Sequence, residues 1–390
     1  MKKTLITLAV LAAAGSASAQ SSVTIYGAID NAFTRVTSKG GASASGLSSG
    51  GGGSIGSKLG FKGEEDLGGG LKAGFKLEMG LETSSGASGV PSSGNNINIV
   101  PPGGGLRFDR ASYVSLSGGF GEVRLGRDLA ASFINDVVYD PFLTYGVGSS
   151  LNFPLGVLGS LFAPAGVAPS TVGKDASSLF RVSNAISYLT PGNLGGFSGQ
   201  LQFAPSEQAS STGAARKDGR VVTARVAYDK GPLSASVSGG KANQSNGVLS
   251  QDVTTANAGS SFDFGVVKVM GEFARFKTEN ATGVAGQDFT TKVITLGAVA
   301  PVGPGKVKLG LSQAKRDIDG TAGEPKATKI ALGYDYALSK RTSLFGTVAR
   351  VKNTGGSAVG AADGGVAGFG APTLANSRSL GYDVGLLHSF

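Results

Sequence analysis

The residue types that carry most enzyme chemistry are nearly absent from this 390-residue chain. It has no cysteine and one histidine, His388, the third residue from the end. Disulfide frameworks, zinc–thiolate sites and iron–sulfur clusters are therefore excluded. A Ser–His arrangement would have to form at the terminal strand, where no nucleophile motif occurs. The glycines of GFKGEEDLGGG (60–70) lack the strand–GxGxxG–helix context of a dinucleotide site. The sequence predicts a protein that is not an enzyme and that needs no cofactor or metal.

The chemistry that remains is electrostatic. Lys and Arg number 35 against 26 Asp and Glu, a formal charge of +9. These basic residues are scattered rather than striped, so nucleic acid is not predicted as a partner. In SKLGFKG, an extended backbone puts Lys58 and Lys62 on the face opposite Leu59. The pattern does not fix the facing of three nearby arginines: Arg107, Arg124 and Arg127.

Residues 1–19, MKKTLITLAVLAAAGSASA, have the pattern of a secretory signal peptide. Two lysines precede a short apolar run, and Ala17-Ser18-Ala19 forms an A-x-A cleavage site. A membrane anchor would need ~20 apolar residues, and this run is shorter. Cleavage after Ala19 would leave a mature chain of residues 20–390, which is the part that folds.

The mature chain alternates between apolar and polar residues in short segments. In VVTARVAYD (221–229), Val222, Ala224 and Val226 lie on one face and polar residues on the other. A secreted β-sandwich would give the same period of two. However, the polar face carries Lys, Arg, Asp and Glu, and Tyr or Phe lies near the strand ends. Together with the export signal, this pattern favours a transmembrane barrel with a polar lumen and aromatic girdles.

Counting these segments gives sixteen strands, an even number, as single-chain bacterial barrels require. They are 23–36, 55–66, 70–84, 106–118, 121–128, 179–190, 196–205, 219–229, 232–241, 252–263, 265–278, 287–300, 305–316, 326–337, 341–352 and 378–390. Short and long connections alternate, which puts both termini at the short-turn, periplasmic end. The predicted fold is all-β: a 16-stranded antiparallel transmembrane barrel, wide enough for an aqueous channel.

Three long connections differ in composition. Residues 39–56 and 84–105 are rich in Gly and Ser and predict flexible surface loops. Residues 129–178 are rich in Leu, Phe, Pro and Val without sustained alternation. A loop of that length is usually functional or disordered, and its apolar content argues against disorder. We expect it to fold into the barrel as a constriction loop; packing outside on a neighbouring subunit is the alternative.

Four stretches carry a resemblance to a known family. They are SKLGFKGEEDLGGGLKAGFKLE (57–78), FDRASYVSLSGGFGEVRLGRD (108–128), FRVSNAISYLTPGNLGGFSGQLQF (180–203) and the terminal YDVGLLHSF (382–390). In this order they resemble the trimeric general porins of Gram-negative outer membranes, and look closest to those of beta-proteobacteria. The resemblance implies a homotrimer of water-filled pores in the outer membrane. It also implies a third loop folded into each barrel and a second loop that reaches a neighbour.

The same resemblance implies a pore constriction, in which basic wall residues face an acidic inward loop. Matched motif to motif, the wall positions are Lys58, Arg110 and Arg181, and the loop carries Asp136 and Asp140. From Pro141 through Lys174 there is no acidic residue. Because basic rings admit anions, we expect anion preference. The alternative is that these charges pair with Asp136, Asp140 and Glu64, which would leave little preference.

The terminal strand resembles the assembly signal that the outer-membrane insertion machinery reads. Its outward residues would be Tyr382, Val384, Leu386, His388 and Phe390. The expected partners are two further copies of the chain, outer-membrane lipid and lipopolysaccharide, that machinery, and small hydrophilic solutes. The predicted function is passive diffusion of those solutes and ions, with a substrate-specific channel as the alternative. An outer-membrane enzyme or an adhesin is less favoured, because catalytic residues and interaction anchors are lacking.

Overall fold

The computed structural model describes residues 22–48, 53–88, 107–151, 180–206, 216–245, 249–281, 285–320, 323–362 and 373–390. The predicted signal peptide (1–19), most of the 84–105 loop and the later part of the 129–178 loop lie outside these residues. Within the described ranges, no helix has the length and apolar character needed to cross a bilayer.

Eighteen strands occur in the described residues, sixteen of them eight residues or longer. They are β1 (Ser22–Ser38), β2 (Ser43–Ser48), β3 (Lys58–Gly68), β4 (Leu71–Glu82), β5 (Ala87–Ser88), β6 (Ala111–Gly118), β7 (Gly121–Leu129), β8 (Arg181–Leu189), β9 (Phe197–Ala204), β10 (Val221–Lys230), β11 (Leu233–Ala242), β12 (Val253–Asp263), β13 (Lys268–Thr278), β14 (Phe289–Val302), β15 (Gly305–Ile318), β16 (Lys326–Ala337), β17 (Thr342–Thr354) and β18 (Arg378–Ser389). A 3₁₀ turn (Ala131–Phe133) and a short helix, α1 (Ile134–Val138), follow β7.

The sixteen longer strands close into one antiparallel barrel. Each pairs with its neighbour along the chain, and β18 returns to pair with β1 from Ala28↔Ser389 to Ser38↔Ser379. Closure gives each of these sixteen strands a paired neighbour on both sides, which is what hydrocarbon requires of a spanning sheet. The predicted 16-stranded barrel is confirmed.

The predicted strand bounds agree with the observed ones to within three residues, except at β6. That strand was expected from 106 but begins at Ala111. The chain bends at Arg110, and the Asp109 carboxylate accepts the Gly80 N–H at 2.8 Å. This bend brings Arg110 to the long-loop end of the barrel wall.

The prediction that residues 39–56 form a flexible surface loop is wrong where the structure describes them. Residues 43–48 form β2, which pairs with Ala32–Thr37 of β1. The following turn is bound to the wall, because one Asp30 carboxylate oxygen accepts the N–H groups of Ser54, Ile55 and Gly56 at 2.6–2.9 Å. A glycine-rich composition predicts a flexible backbone, but it does not reveal an acceptor elsewhere in the chain.

Burial is inverted relative to a water-soluble fold. Val237 and Ile294 are 58% and 54% exposed, whereas Arg316 and Asp383 are 0% and 1% exposed. Soluble proteins rarely bury charged side chains while exposing contiguous apolar rows. The outer face is therefore the apolar one and the inner face the polar one, as in transmembrane barrels. The β-sandwich alternative is excluded by this inversion and by the closure of the sheet.

The terminal strand presents its predicted outward side chains to the outside. All five are exposed: Tyr382, Val384, Leu386, His388 and Phe390. The His388 ring nitrogen Nδ1 lies 2.9 Å from Thr342 Oγ1 of β17. Both edges of β18 are paired in the closed barrel, so its role as an assembly signal stays a prediction about the chain before closure.

Candidate pore constriction

Three basic residues predicted for the wall come together at the long-loop end of the barrel. Lys58 begins β3, Arg110 immediately precedes β6 and Arg181 begins β8. Arg181 Nε donates to the backbone carbonyl of Arg110 at 3.0 Å. Lys58 lies close enough to Arg110 for their charges to interact. We refer to Lys58, Arg110 and Arg181 as the inner basic cluster.

The guanidinium of Arg110 is fixed by an ion pair with Glu78 of β4. Arg110 Nε donates to Glu78 Oε1 at 2.7 Å, and the two side chains are only 15% and 10% exposed. The second oxygen of Glu78 accepts the Tyr26 hydroxyl at 2.8 Å and lies 3.3 Å from Lys76 Nζ. Charge-assisted bonds of this kind are short and directional. Glu78 thus holds Arg110 in one orientation.

Tyr145 connects the segment after β7 to this cluster. Arg110 Nη2 donates to the Tyr145 hydroxyl oxygen at 3.2 Å. Burial by itself raises the pKa of Tyr145, but the positive charges of Arg110, Arg181 and Lys58 lower it further than burial raises it. The net result is a phenol whose pKa is below its ordinary value, because the surrounding field is positive.

The sequence pattern did not place Arg127, and the structure adds it to this site. A β-bulge lies between Gly126 and Asp128, and Gly126 has a φ of +137°. The bulge re-aims the following side chain. Arg127 Nε donates to the Asp109 carbonyl and Nη1 to Ser183 Oγ, next to Arg181.

Arg124, whose facing was also open, is neutralised locally. It forms ion pairs with Glu122 at 2.9 Å and with Asp128 at 2.6 Å, and it stacks 4.8 Å from the centre of the Tyr113 ring. Two carboxylates on one guanidinium leave no net positive charge at this position. Arg107 is half-buried.

The two acidic residues predicted to face the inner basic cluster lie elsewhere. Among the described residues, neither Asp136 nor Asp140 forms a hydrogen bond or ion pair with that cluster. Asp136 lies in α1, and burial together with the carboxylates of Glu272 and Asp140 raises its pKa well above the usual range. Burial and neighbouring carboxylates both favour the protonated, uncharged form of a carboxyl group.

Asp140 organises its own loop. Its carboxylate accepts the N–H groups of Phe142 at 2.8 Å, Thr144 at 3.2 Å and Ser150 at 2.7 Å. The remaining predicted acid, Glu64, pairs with Lys72 at 2.6 Å on the exposed part of β3 and β4. The alternative in which these acids neutralise the basic wall is therefore not the observed arrangement.

The described part of the 129–178 segment forms hydrogen bonds with polar side chains of several barrel strands. Asn135 accepts Arg225 Nε at 2.7 Å and donates to Asn257 Oδ1 at 2.8 Å. The N–H of Val147 donates to Asp383 at 3.0 Å, and that of Leu151 donates to Ser312 Oγ. These contacts run from β10 to β18. In the described chain, no group of three or more His, Cys, Asp or Glu has the arrangement of a metal site.

A closed 16-stranded barrel with an apolar outside, a polar inside and a charged cluster on its inner wall defines a transmembrane channel of the porin class. The chain belongs to the Gram-negative porin family, whose sequence model matches residues 6–356. It is an outer-membrane porin that conducts solutes passively, and members of this family are channels rather than enzymes. The predicted family, location and channel function are confirmed.

Individual relatives agree with this assignment. Outer membrane porin protein 32 of Delftia acidovorans is 39% identical over 393 residues, covering both chains in full. An outer membrane porin protein of Bordetella pertussis is 29% identical, covering 90% of this chain and 95% of its own. The solved structure of an anion-selective porin from Comamonas acidovorans is 36% identical, with a TM-score of 0.77, over 95% of this chain and all of its own.

Proposed function

We propose that this porin prefers anions and that the inner basic cluster sets that preference. The observation that carries the proposal is the charge balance of the cluster together with the charged side chains around it. Two carboxylates, Glu78 and Asp109, stand among five basic side chains, a formal charge of +3. The basic side chains are Lys58, Lys76, Arg110, Arg127 and Arg181.

Electrostatics supports this assignment. A ring of one sign of charge at a narrow point selects the opposite ion, and low-dielectric walls focus its field. Among the described loop residues, neither acid binds the cluster, since Asp136 lies in α1 and Asp140 is bound to three backbone N–H groups. The Comamonas porin described as anion-selective is similar to this chain over nearly its whole length.

The loop of residues 129–178 would narrow the channel at this level. Its described residues contact the inner face, and Tyr145 contacts the basic wall directly. Residues 152–179, which would complete the constriction, are outside the described part. This arrangement fits a general channel, in which the size and charge of a solute determine whether it passes. It does not require a binding site shaped for one solute.

The zero-current potential across a planar bilayer in a KCl gradient tests the proposal. Anion preference makes the dilute side negative, because chloride crosses faster than potassium; a positive dilute side would contradict it. Liposome swelling separates the general channel from the substrate-specific alternative. A general porin admits neutral sugars in order of size, whereas a specific channel admits one solute far faster than others of equal size.

We further propose the assembly and partners that the family implies. Three copies would associate through their apolar outer faces, and the outermost surface would contact lipopolysaccharide. The insertion machinery would read Tyr382, Val384, Leu386, His388 and Phe390, all of which face outward on β18.

Chemical cross-linking of the purified protein should give a trimer. N-terminal sequencing should begin at Gln20, and Phe390→Ala should lower the yield of assembled barrel.

A further inference from the structure

Four basic residues on adjacent strands lie directly opposite one another. Arg275 of β13 faces Lys292 of β14, Lys292 faces Lys315 of β15, and Lys315 faces Lys326 of β16. Directly opposed side chains have Cβ atoms about 5 Å apart, and like charges in that position destabilise a sheet. We refer to Arg275, Lys292, Lys315 and Lys326 as the outer basic row.

The outer basic row faces away from the lumen. The chain neighbours of its members point inward and are fully buried: Ala274, Val293, Ala314 and Ala327. Phe273 and Ile294 share this outward face. Each lies two residues from its row member, Arg275 or Lys292, towards the middle of the barrel, and each is about half exposed. The row therefore lies just beyond the apolar band, at the end of the barrel with the long connections.

Protein carboxylates offset only part of this charge. Lys292 pairs with Asp317 at 3.1 Å and Lys315 with Glu324 at 2.9 Å. Both pairs are about half exposed, and exposed pairs contribute little. Within the described ranges, no carboxylate lies at ion-pair distance from Arg275 or Lys326. The row keeps a formal charge of +2.

The basic surface continues beyond these four strands. Lys352 of β17 faces Arg378 of β18 in the same register relation, and both are exposed. At the opposite end, the outward residues of β16 are aromatic, with the rings of Tyr334 and Tyr336 6.5 Å apart. The outward face of β16 is thus aromatic towards the short-turn end and basic at the long-loop end.

We propose that the outer basic row binds the phosphate groups of lipopolysaccharide in the outer leaflet. Strands lie about 4.8 Å apart, so four strands span about 14 Å, enough for the phosphorylated sugar headgroup of one glycolipid. Lys and Arg form charge-assisted bonds with phosphate oxygens. Free phosphate has the same chemistry, but only a glycolipid also places acyl chains on the adjacent apolar band. This site rests on the lipopolysaccharide contact proposed above and names its residues.

The test uses the purified full-length protein in phospholipid nanodiscs containing diphosphoryl lipid A. Bound lipid A is counted by native mass spectrometry for the wild type and for a variant with Arg275→Gln, Lys292→Gln, Lys315→Gln and Lys326→Gln. A matched control removes four basic charges at the other end of the barrel, through Lys230→Gln, Lys268→Gln, Lys340→Gln and Arg341→Gln. Lipid A without phosphates and inorganic phosphate form two further arms.

We expect the row variant to bind diphosphoryl lipid A at least tenfold more weakly than the wild type, and the control variant to stay within twofold of it. Dephosphorylated lipid A should bind the wild type as weakly as the row variant binds the intact lipid. A charge-preserving variant, with Arg275→Lys and Lys292→Arg, should retain binding, which separates charge loss from misfolding.

Four outcomes would overturn the site. Equal binding by the row variant and the wild type would show that lipid A binds elsewhere on the barrel. Equal binding of dephosphorylated lipid A would remove the role of phosphate, and full displacement by inorganic phosphate would indicate capture of a free anion. Absence of wild-type binding would remove the lipopolysaccharide contact itself. Ion preference, measured in pure phospholipid bilayers, is independent of all four.

Discussion

The inner basic cluster and the outer basic row contain similar residues in opposite settings. In the inner cluster, the guanidinium of Arg110 is largely buried and bound to fixed protein acceptors, Glu78 and Tyr145. In the outer row, Lys292 and Lys315 are about half exposed, and their carboxylate partners are equally exposed. Protein acceptors hold Arg110 in the first set, whereas Lys292 and Lys315 of the second set are open to solvent.

This difference indicates what each set can do. Fixed charges at a narrow point create a field that acts on passing ions without holding any one of them. Exposed basic groups beside an apolar band are suited to binding a lipid phosphate. The acyl chains of the same lipid pack on the band, which adds affinity and slows dissociation. Net charge alone does not distinguish these roles; the acceptors around each charge do.

Removing Glu78, the acceptor that holds Arg110, should have the largest effect of the substitutions predicted. Glu78→Gln breaks the buried ion pair with Arg110 and should lower the free energy of unfolding by about 3 kcal/mol, because it leaves a buried charge without its partner. Guanidinium unfolding in detergent measures this loss.

The exposed pair between Glu64 and Lys72 gives the matched control for that variant. Glu64→Gln should leave the free energy of unfolding nearly unchanged, since both side chains are about half exposed and solvent screens the pair. Equal losses for Glu78→Gln and Glu64→Gln would mean that Arg110 is not held rigidly, and the contrast between the two basic sets would fail.

A pH titration should reveal the field of the inner cluster. The pKa of Tyr145 is lowered, so its phenol becomes anionic at a pH below the ordinary value of about 10. As the pH rises through that lowered pKa, a negative charge appears beside Arg110, and anion preference should decline. Tyr145→Phe cannot ionise and should lose this early part of the decline. Identical titrations of the zero-current potential for both proteins would contradict a field at Tyr145.

The smallest effect should come from Asp136. Burial and the carboxylates of Glu272 and Asp140 raise its pKa, which favours the uncharged form, so Asp136→Asn should change the zero-current potential little. Asp109→Asn is the control, because Asp109 is close enough to Arg127 and Arg181 for their charges to interact. That substitution should increase anion preference. An equal increase in Asp136→Asn would show that the loop does carry an ionised carboxylate.

Much of this architecture could be predicted from the sequence, because the period of two is a local signal. Sixteen strands follow from alternation alone, and the inversion of polarity follows from which residue types share a face. Lys58, Arg110 and Arg181 were matched through the resemblance, and the structure brings them together.

The remaining site residues depend on contacts between distant parts of the chain. Arg127 enters through a bulge, where Gly126 interrupts an otherwise regular strand. Tyr145 lies in a segment without apolar/polar alternation, and its hydrogen-bond partner, Arg110, is 35 residues away in the chain. Asp136 was expected to be an ionised constriction residue, whereas the nearby carboxylate of Glu272, 136 positions later in the chain, raises its pKa. Alternation carries no information about such pairs.

The central claim is that the inner basic cluster sets ion preference. The most direct test is the zero-current potential in a KCl gradient for the variant with Lys58→Gln, Arg110→Gln and Arg181→Gln, beside the wild type and the outer-row variant. We expect anion preference in the wild type and in the outer-row variant, and its loss in the triple variant. Unchanged anion preference in a folded, conducting triple variant would contradict the account.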